Sequence, residues 1–143
     1  MATILVDTGV WLALCDARDR VATPEVVEDI YDRIKVHSII VPWPVVYETL
    51  RTRFVRNRAA MERFEHEIKS ARVDRLDDAP YREDALSLSI DYSLRQGRPL
   101  SMVDCMLRLL LDDLKIRIRY FVTFNQGDFV DVCKTRRIEL WSR

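Results

Sequence analysis

The feature of this chain that most narrows its fold is the alternation of short, unbroken apolar runs with longer amphipathic stretches. Thr3-Ile4-Leu5-Val6, Ser38-Ile39-Ile40-Val41, Tyr120-Phe121-Val122-Thr123-Phe124 and Ile138-Glu139-Leu140-Trp141 have the length of strands. The first two lack the apolar–polar alternation of a half-exposed strand, as expected of strands covered on both faces. Between these runs the apolar residues fall at helical spacing. Gly9 to Ala17 reads as helical, and Pro24 to Lys35 carries Val26, Val27, Ile30 and Ile34 on one face. Thr23 is the expected N-cap of that helix, with Pro24 at its first position. The pattern then predicts one helix from Val45 to about Ala71, with Leu50, Phe54, Met61, Phe64 and Ile68 inward. Arg72 to Leu76 fits a short edge strand. Two further helices, Ala85–Gln96 and Met102–Leu114, are separated by the Gly97-Arg98-Pro99 break. Strands alternating with helices in this way give an α/β fold around a mainly parallel sheet with right-handed crossovers.

Nothing in the composition divides the chain. Hydrophobic residues make up 48%, with only 3 Gly and 5 Pro, so residues 1–143 are expected to form one ordered domain. The apolar runs fall short of the roughly 18 residues of a membrane span, and the N-terminus lacks the basic region of a signal peptide. Cys15, Cys105 and Cys133 are odd in number and form no CxxC, which points away from a disulfide framework or a zinc ribbon. A soluble protein of a reducing cytoplasm is the expectation.

Charge excludes a uniformly basic nucleic-acid binder, because 23 Lys plus Arg balance 23 Asp plus Glu. The cations are nevertheless patterned: 19 of the 23 are Arg, and Arg51, Arg53, Arg56, Arg58 and Arg63 crowd one stretch. Two readings stand side by side. Guanidinium forks suit phosphate oxygens; equally, the stretch fits a solvated helix face paired to Glu62, Glu65 and Glu67.

In open parallel sheets, ligands bind beyond the carboxyl ends of the strands. Asp7 ends the first strand, and Glu48 follows the Pro42–Pro44 stop of the second, in the expected first turn of the next helix. Asp128 follows the Tyr120–Phe124 strand after Asn125-Gln126-Gly127, and Asp104 opens the helix before that strand. Each acid alone has an ordinary explanation. Asp7 or Thr8 caps a helix, the helix dipole favours Glu48, Ser101-Met102-Val103-Asp104 is a capping box, and Asp128 is a turn residue. Together they are harder to explain, because converging carboxylates repel unless a cation compensates them. Oxygen ligands without neighbouring His or Cys select Mg²⁺ or Mn²⁺ over zinc, and His37 and His66 have no ligand spacing. Such ions activate water for phosphodiester hydrolysis, which needs no Ser or Cys nucleophile.

With these pieces assembled, the chain resembles the PIN domain family, particularly VapC-type toxin ribonucleases. The resemblance runs through ILVDTGVWLAL, VPWPVVYETL, LSMVDCMLRLLL, VTFNQGDF and the last strand IELW. It implies a Rossmann-like three-layer sandwich and a metal-binding, catalytic quartet of Asp7, Glu48, Asp104 and Asp128. Thr8, Thr123 and Asn125 would give polar support. Independently of the resemblance, the charge pattern just after Glu48 makes Arg51, Arg53, Arg56 and Arg58 the expected RNA contacts. The family often has Asp where Asn125 stands, so a neutral side chain there puts more weight on Asp128. The implied activity is Mg²⁺- or Mn²⁺-dependent endoribonuclease action, in a homodimer whose acidic pocket a small antitoxin protein blocks. A PIN-like module that binds RNA or protein through a weakened site is the alternative. Asp7-Thr8-Gly9 is also the aspartic-protease signature, but that all-β, Gly-rich fold does not suit a chain with 3 Gly and long helical stretches. A phosphoacceptor receiver domain needs an acid pair at the first strand and a late Lys, which Lys35, Lys69, Lys115 and Lys134 do not supply.

Overall fold

The computed structural model of the chain describes residues 1–141. In chain order the elements are β1 (Thr3–Val6), α1 (Thr8–Cys15), α2 (Pro24–Ile34), β2 (Ser38–Pro42), α3 (Trp43–Thr49), α4 (Thr52–Val55), α5 (Arg58–Ile68), β3 (Val73–Leu76), α6 (Arg82–Arg95), α7 (Met102–Asp112), β4 (Tyr120–Val122), α8 (Val130–Arg136) and β5 (Glu139–Trp141). Single 3₁₀ turns lie at Ala79–Tyr81 and Gln126–Asp128. The five strands form one sheet in the order β3-β2-β1-β4-β5, and every pairing is parallel. This is the expected α/β sandwich. Among the described residues no helix is long and apolar enough to cross a membrane.

The sheet is doubly wound. Right-handed crossovers from β1 to β2 and β2 to β3 put α1–α5 on one face, and those through α6–α8 fall on the other. Accordingly α1 packs on α2, α3 and α5, while α7 packs on α6 and α8. The apolar strands sit in the middle because both their faces must be covered: Ile4, Leu5, Val6, Ile39, Val41, Phe121 and Val122 are fully buried. The edge strands are short and expose charged residues, Asp74 and Arg75 in β3 and Glu139 in β5, which discourages further strand pairing. On the first face, Trp11 and Phe54 both meet Phe64 edge-on, at 5.8 and 6.0 Å between centroids. The three cysteines are buried free thiols.

Two expectations need correction. The single helix from Val45 to about Ala71 is three helices, because Leu50 leaves helical geometry (ψ 42°) and Asn57 starts a new one. The Asn57 side chain accepts from Ala60 N and also donates to Asp16, so this residue is a cap rather than a helix interior. Phe54 and Phe64 still face inward, each from its own helix. Secondly, Glu48 lies in the last turn of α3, not the first. The helix begins at Trp43 with Pro44 at its start, where a missing N–H goes unused, so the prolines end the strand and open the helix together. The macrodipole therefore does not favour Glu48, and another contact must hold it.

Candidate active site

Strand order reverses at β1 and β4: the chain leaves β1 towards one face of the sheet and β4 towards the other. The crevice at their carboxyl ends is where such a sheet accepts a ligand. Asp7 leaves β1 with its amide bonded to Val122 O at 3.0 Å. Its carboxylate then caps α1, with Oδ1 accepting from Thr8 N at 2.7 Å. The other oxygen, Oδ2, accepts from the Thr123 hydroxyl at 2.8 Å, across the reversal point. Thr123 is fully buried at the end of β4, and its Oγ1 accepts from Asn125 N at 3.0 Å.

From this centre the network spreads both ways. The Thr8 hydroxyl donates to Glu48 Oε1 at 2.6 Å, which is the contact that holds Glu48. Asn125 Nδ2 donates to Asp128 Oδ2 at 2.5 Å. Glu48, Thr8, Asp7, Thr123, Asn125 and Asp128 thus form one continuous chain of polar contacts. Asp104 joins it through charge rather than a shared hydrogen bond. It stands in the first turn of α7, where Ser101 Oγ accepts from its amide at 3.0 Å and Ser101 in turn bonds its carboxylate, the reciprocal box expected.

Electrostatics mark the cluster. Burial pushes the Asp7 carboxyl from its ordinary 3.8 up to about 6, against the hydrogen bonds from Thr123 and Thr8; the charges of Asp104 and Glu48 push the same way. Burial also raises Asp104, opposed by Ser101 and reinforced by the charge of Asp128. Among the described residues none of the four acids forms an ion pair. Nor do three acidic, His or Cys side chains there close into one ligand group; hydroxyls and an amide bridge them. The donors are all oxygen, negatively charged and unneutralised, which fits a hard divalent cation. His37 instead accepts from Ala2 N, and His66 is exposed on α5.

The arginine stretch divides. Arg58 pairs with Glu62 at 2.9 Å one helical turn away, and Arg63 donates to Cys15 O at 3.0 Å. Glu65 and Glu67 pair elsewhere, with Lys69 and Arg72. Arg51, Arg53 and Arg56 are exposed without an ion pair among the described residues. Arg51 and Arg53 line a cavity of about 380 Å³ with Arg18, Arg20, Leu12 and Phe54, where Asp16 and Asp19 also stand and Asp16 pairs with Arg18 at 3.2 Å. That cavity follows α1 from Leu12 onward, about 6 Å of helix rise from Thr8.

Sequence reasoning passed over four residues beside Asp128. Arg108 of α7, 9% exposed, grips the Asp131 carboxylate with both terminal nitrogens at 2.7 and 2.8 Å and donates to Asp128 O at 2.7 Å and Tyr92 Oη at 3.2 Å. Arg98 donates to Gly127 O and Asp128 O. The signal was present: a cation at i+4 from Asp104 inside an apolar helix needs a partner.

In comparison with known proteins, the PIN domain family matches residues 4–134, nearly the whole length. No curated protein matches the chain. The match runs from β1 into α8 and takes in the acids at the strand-order reversal, and the chain belongs to the PIN domain family, a nuclease fold.

Proposed function

We propose that the protein is a divalent-metal-dependent endoribonuclease, with Asp7, Glu48, Asp104 and Asp128 as its metal-binding and catalytic acids. The observation that carries this reading is the unneutralised acidic network at the strand-order reversal: four carboxylates, one of them raised to about 6, with none of the described cations paired to them. A Mg²⁺ or Mn²⁺ held there would supply the charge that makes water nucleophilic and offsets the charge gathered on a phosphodiester in its transition state.

The chain's own residues do the rest. Thr8 N and the Thr123 hydroxyl fix both oxygens of Asp7, so that carboxylate cannot rotate away from the crevice. The Thr8 hydroxyl orients Glu48, and Asn125 orients Asp128 while adding no fifth negative charge. Arg51 and Arg53, with Arg20 at the same cavity and Arg56 beside it in sequence, bind backbone phosphates of the RNA, whereas Arg58 and Arg18 are already paired with Glu62 and Asp16. The finer assignment follows the motif resemblance: the toxin of a type II toxin–antitoxin pair, acting as a homodimer in the cytoplasm and silenced by a small antitoxin protein over the acidic edge.

Cleavage of a mixed pool of structured RNAs tests the reading, with Mg²⁺ or Mn²⁺ and with Asp7→Asn alongside. Divalent-dependent fragments that vanish in the variant are the expected result. Inactivity of both across the pool would favour the weakened binding module, for which the neutral Asn125 is the specific motive. Equal cleavage by both would assign the fragments to a contaminant.

A further inference from the structure

We infer that Arg108 is a positioning residue that fixes Asp128 relative to Asp104 and thereby sets the affinity of the site for its divalent cation. The inference rests on the metal-nuclease reading above. Its starting point is how differently the two acids are mounted. Asp104 stands on α7, an eleven-residue helix with a reciprocal cap. Asp128 ends a single 3₁₀ turn that has no side-chain cap, between exposed Asn125, Gln126 and Gly127 and buried Phe129. Repulsion between the two carboxylates pushes the weaker mount outwards.

Arg108 opposes that movement. It lies one helical turn after Asp104 on the same helix, about 6 Å of rise along the axis. Its guanidinium holds the main-chain oxygen of Asp128 at 2.7 Å, so helix and turn share one fastening. Asp131, three residues beyond Asp128, closes a two-point grip on the same guanidinium. Tyr92 completes the seat with its hydroxyl at 3.2 Å and its ring centroid 5.4 Å from Cζ.

Arg98 adds a second, more exposed hold on Gly127 and Asp128, at 3.3 and 3.2 Å. It reaches there because Gly97 takes the left-handed conformation (φ 61°) and turns the chain out of α6. Both arginines touch Asp128 through its carbonyl and pair their charge with Asp131, so the Asp128 carboxylate is placed without being neutralised. Lysine cannot copy this. A point ammonium lacks the planar fork that serves a carboxylate, a carbonyl and a hydroxyl at once.

Arg108→Lys tests the assignment through Mn²⁺ binding, followed by loss of the free-ion electron paramagnetic resonance signal without RNA. The expected result is half-saturation at tenfold or more higher Mn²⁺ than wild type, the usual effect of losing a group that orients a ligand. RNA affinity in chelator should be unchanged, cleavage should recover at high Mn²⁺, and hydrogen exchange should speed up at residues 125–129 but not along α7. A variant that melts earlier yet binds Mn²⁺ within twofold of wild type would reduce Arg108 to a structural role and overturn the inference. If Arg108→Lys does not fold, Arg98→Gln removes the milder hold; at least threefold weaker Mn²⁺ binding supports the inference, and unchanged binding overturns it. Folded wild type that takes up no Mn²⁺ would sink the metal-nuclease reading itself, whereas a binding wild type beside an unchanged variant removes only the role of Arg108.

Discussion

Replacing Asp7 by Asn should make the metal-free protein more stable, and the gain should depend on pH. Folding raises the Asp7 carboxyl from 3.8 to about 6, so the folded state binds its proton more tightly than the unfolded chain does. Such a group leaves stability intact below about pH 4 and removes it as pH rises through 6. The difference corresponds to about 3 kcal/mol at about 1.4 kcal/mol per tenfold change in proton affinity. Asn carries no charge to desolvate. It keeps an oxygen for Thr8 N but presents an N–H to the Thr123 hydroxyl, which costs about 1 kcal/mol.

Urea unfolding in chelator is the assay. At pH 8 the variant should exceed wild type by about 2 kcal/mol, and by pH 4 the advantage should vanish or reverse. Saturating Mn²⁺ should then invert the order at pH 8. Wild type gains about 2.7 kcal/mol at a hundredfold excess over its dissociation constant, and the variant gains little. An equal difference at both pH values, or a variant weaker at pH 8, would refute the reasoning: Asp7 would then be an ordinary helix cap whose charge is welcome where it stands.

Asp131→Asn should destabilise the protein at pH 7 by about 1–2 kcal/mol, since it leaves the buried Arg108 half-paired while solvent screens the exposed carboxylate. The Arg108 guanidinium holds Asp131 below the usual carboxylate range, so wild type should lose this advantage as pH falls from 5 towards 2, and urea midpoints of the pair should converge. In an Asp7→Asn background that does not cut RNA, Arg51→Ala and Arg53→Ala should each weaken single-stranded RNA binding across sequences and reduce the salt slope by about 0.7; a loss confined to one sequence would refute a phosphate contact. Arg137 ends α8 in left-handed geometry (φ 57°, ψ 39°), so Arg137→Gly should raise stability by about 0.5–1 kcal/mol, read from the denaturant midpoint.

What the sequence displayed was what local patterning controls. Unalternated runs such as Ile4-Leu5-Val6 announced strands covered on both faces, and the three innermost strands are the buried ones. Thr23-Pro24 announced the start of α2, and Ser101 that of α7. The errors have two sources, a tertiary contact that outvoted spacing and prolines that open a helix as well as end a strand. Val45–Ala71 keeps helical periodicity throughout, yet Asn57 reaches Asp16 and breaks it. Pro42 and Pro44 read as a barrier, so Glu48 was counted from the wrong end of its helix. The acids could be placed at one edge because sheet topology puts strand ends there. The hydroxyl bridges between them could not be read, since Thr8 to Glu48 spans 40 positions and Thr123 to Asp7 spans 116.

The same distinction explains why the arginines around Asp128 matter to the chemistry proposed. A chain with 19 arginines has ample means to neutralise four carboxylates, yet none of its described arginines pairs with them. The two nearest Asp128 turn their charge to Asp131 and offer the Asp128 turn only N–H groups for its carbonyls. Direct pairing would stabilise the fold and close the site, because a guanidinium seated on the carboxylates would have to be displaced by any incoming cation. With Asp131 as counter-charge, the loop is fixed and the carboxylates keep their charge. Asp7, raised to about 6 chiefly by burial and further by the charges of Asp104 and Glu48, carries the energetic cost of an unpaired carboxylate at this edge. On the metal reading proposed, a divalent ion would return the stability withheld at this edge in the free protein, so the affinity for the ion and the apo protein's weakness at pH 8 would share one physical origin.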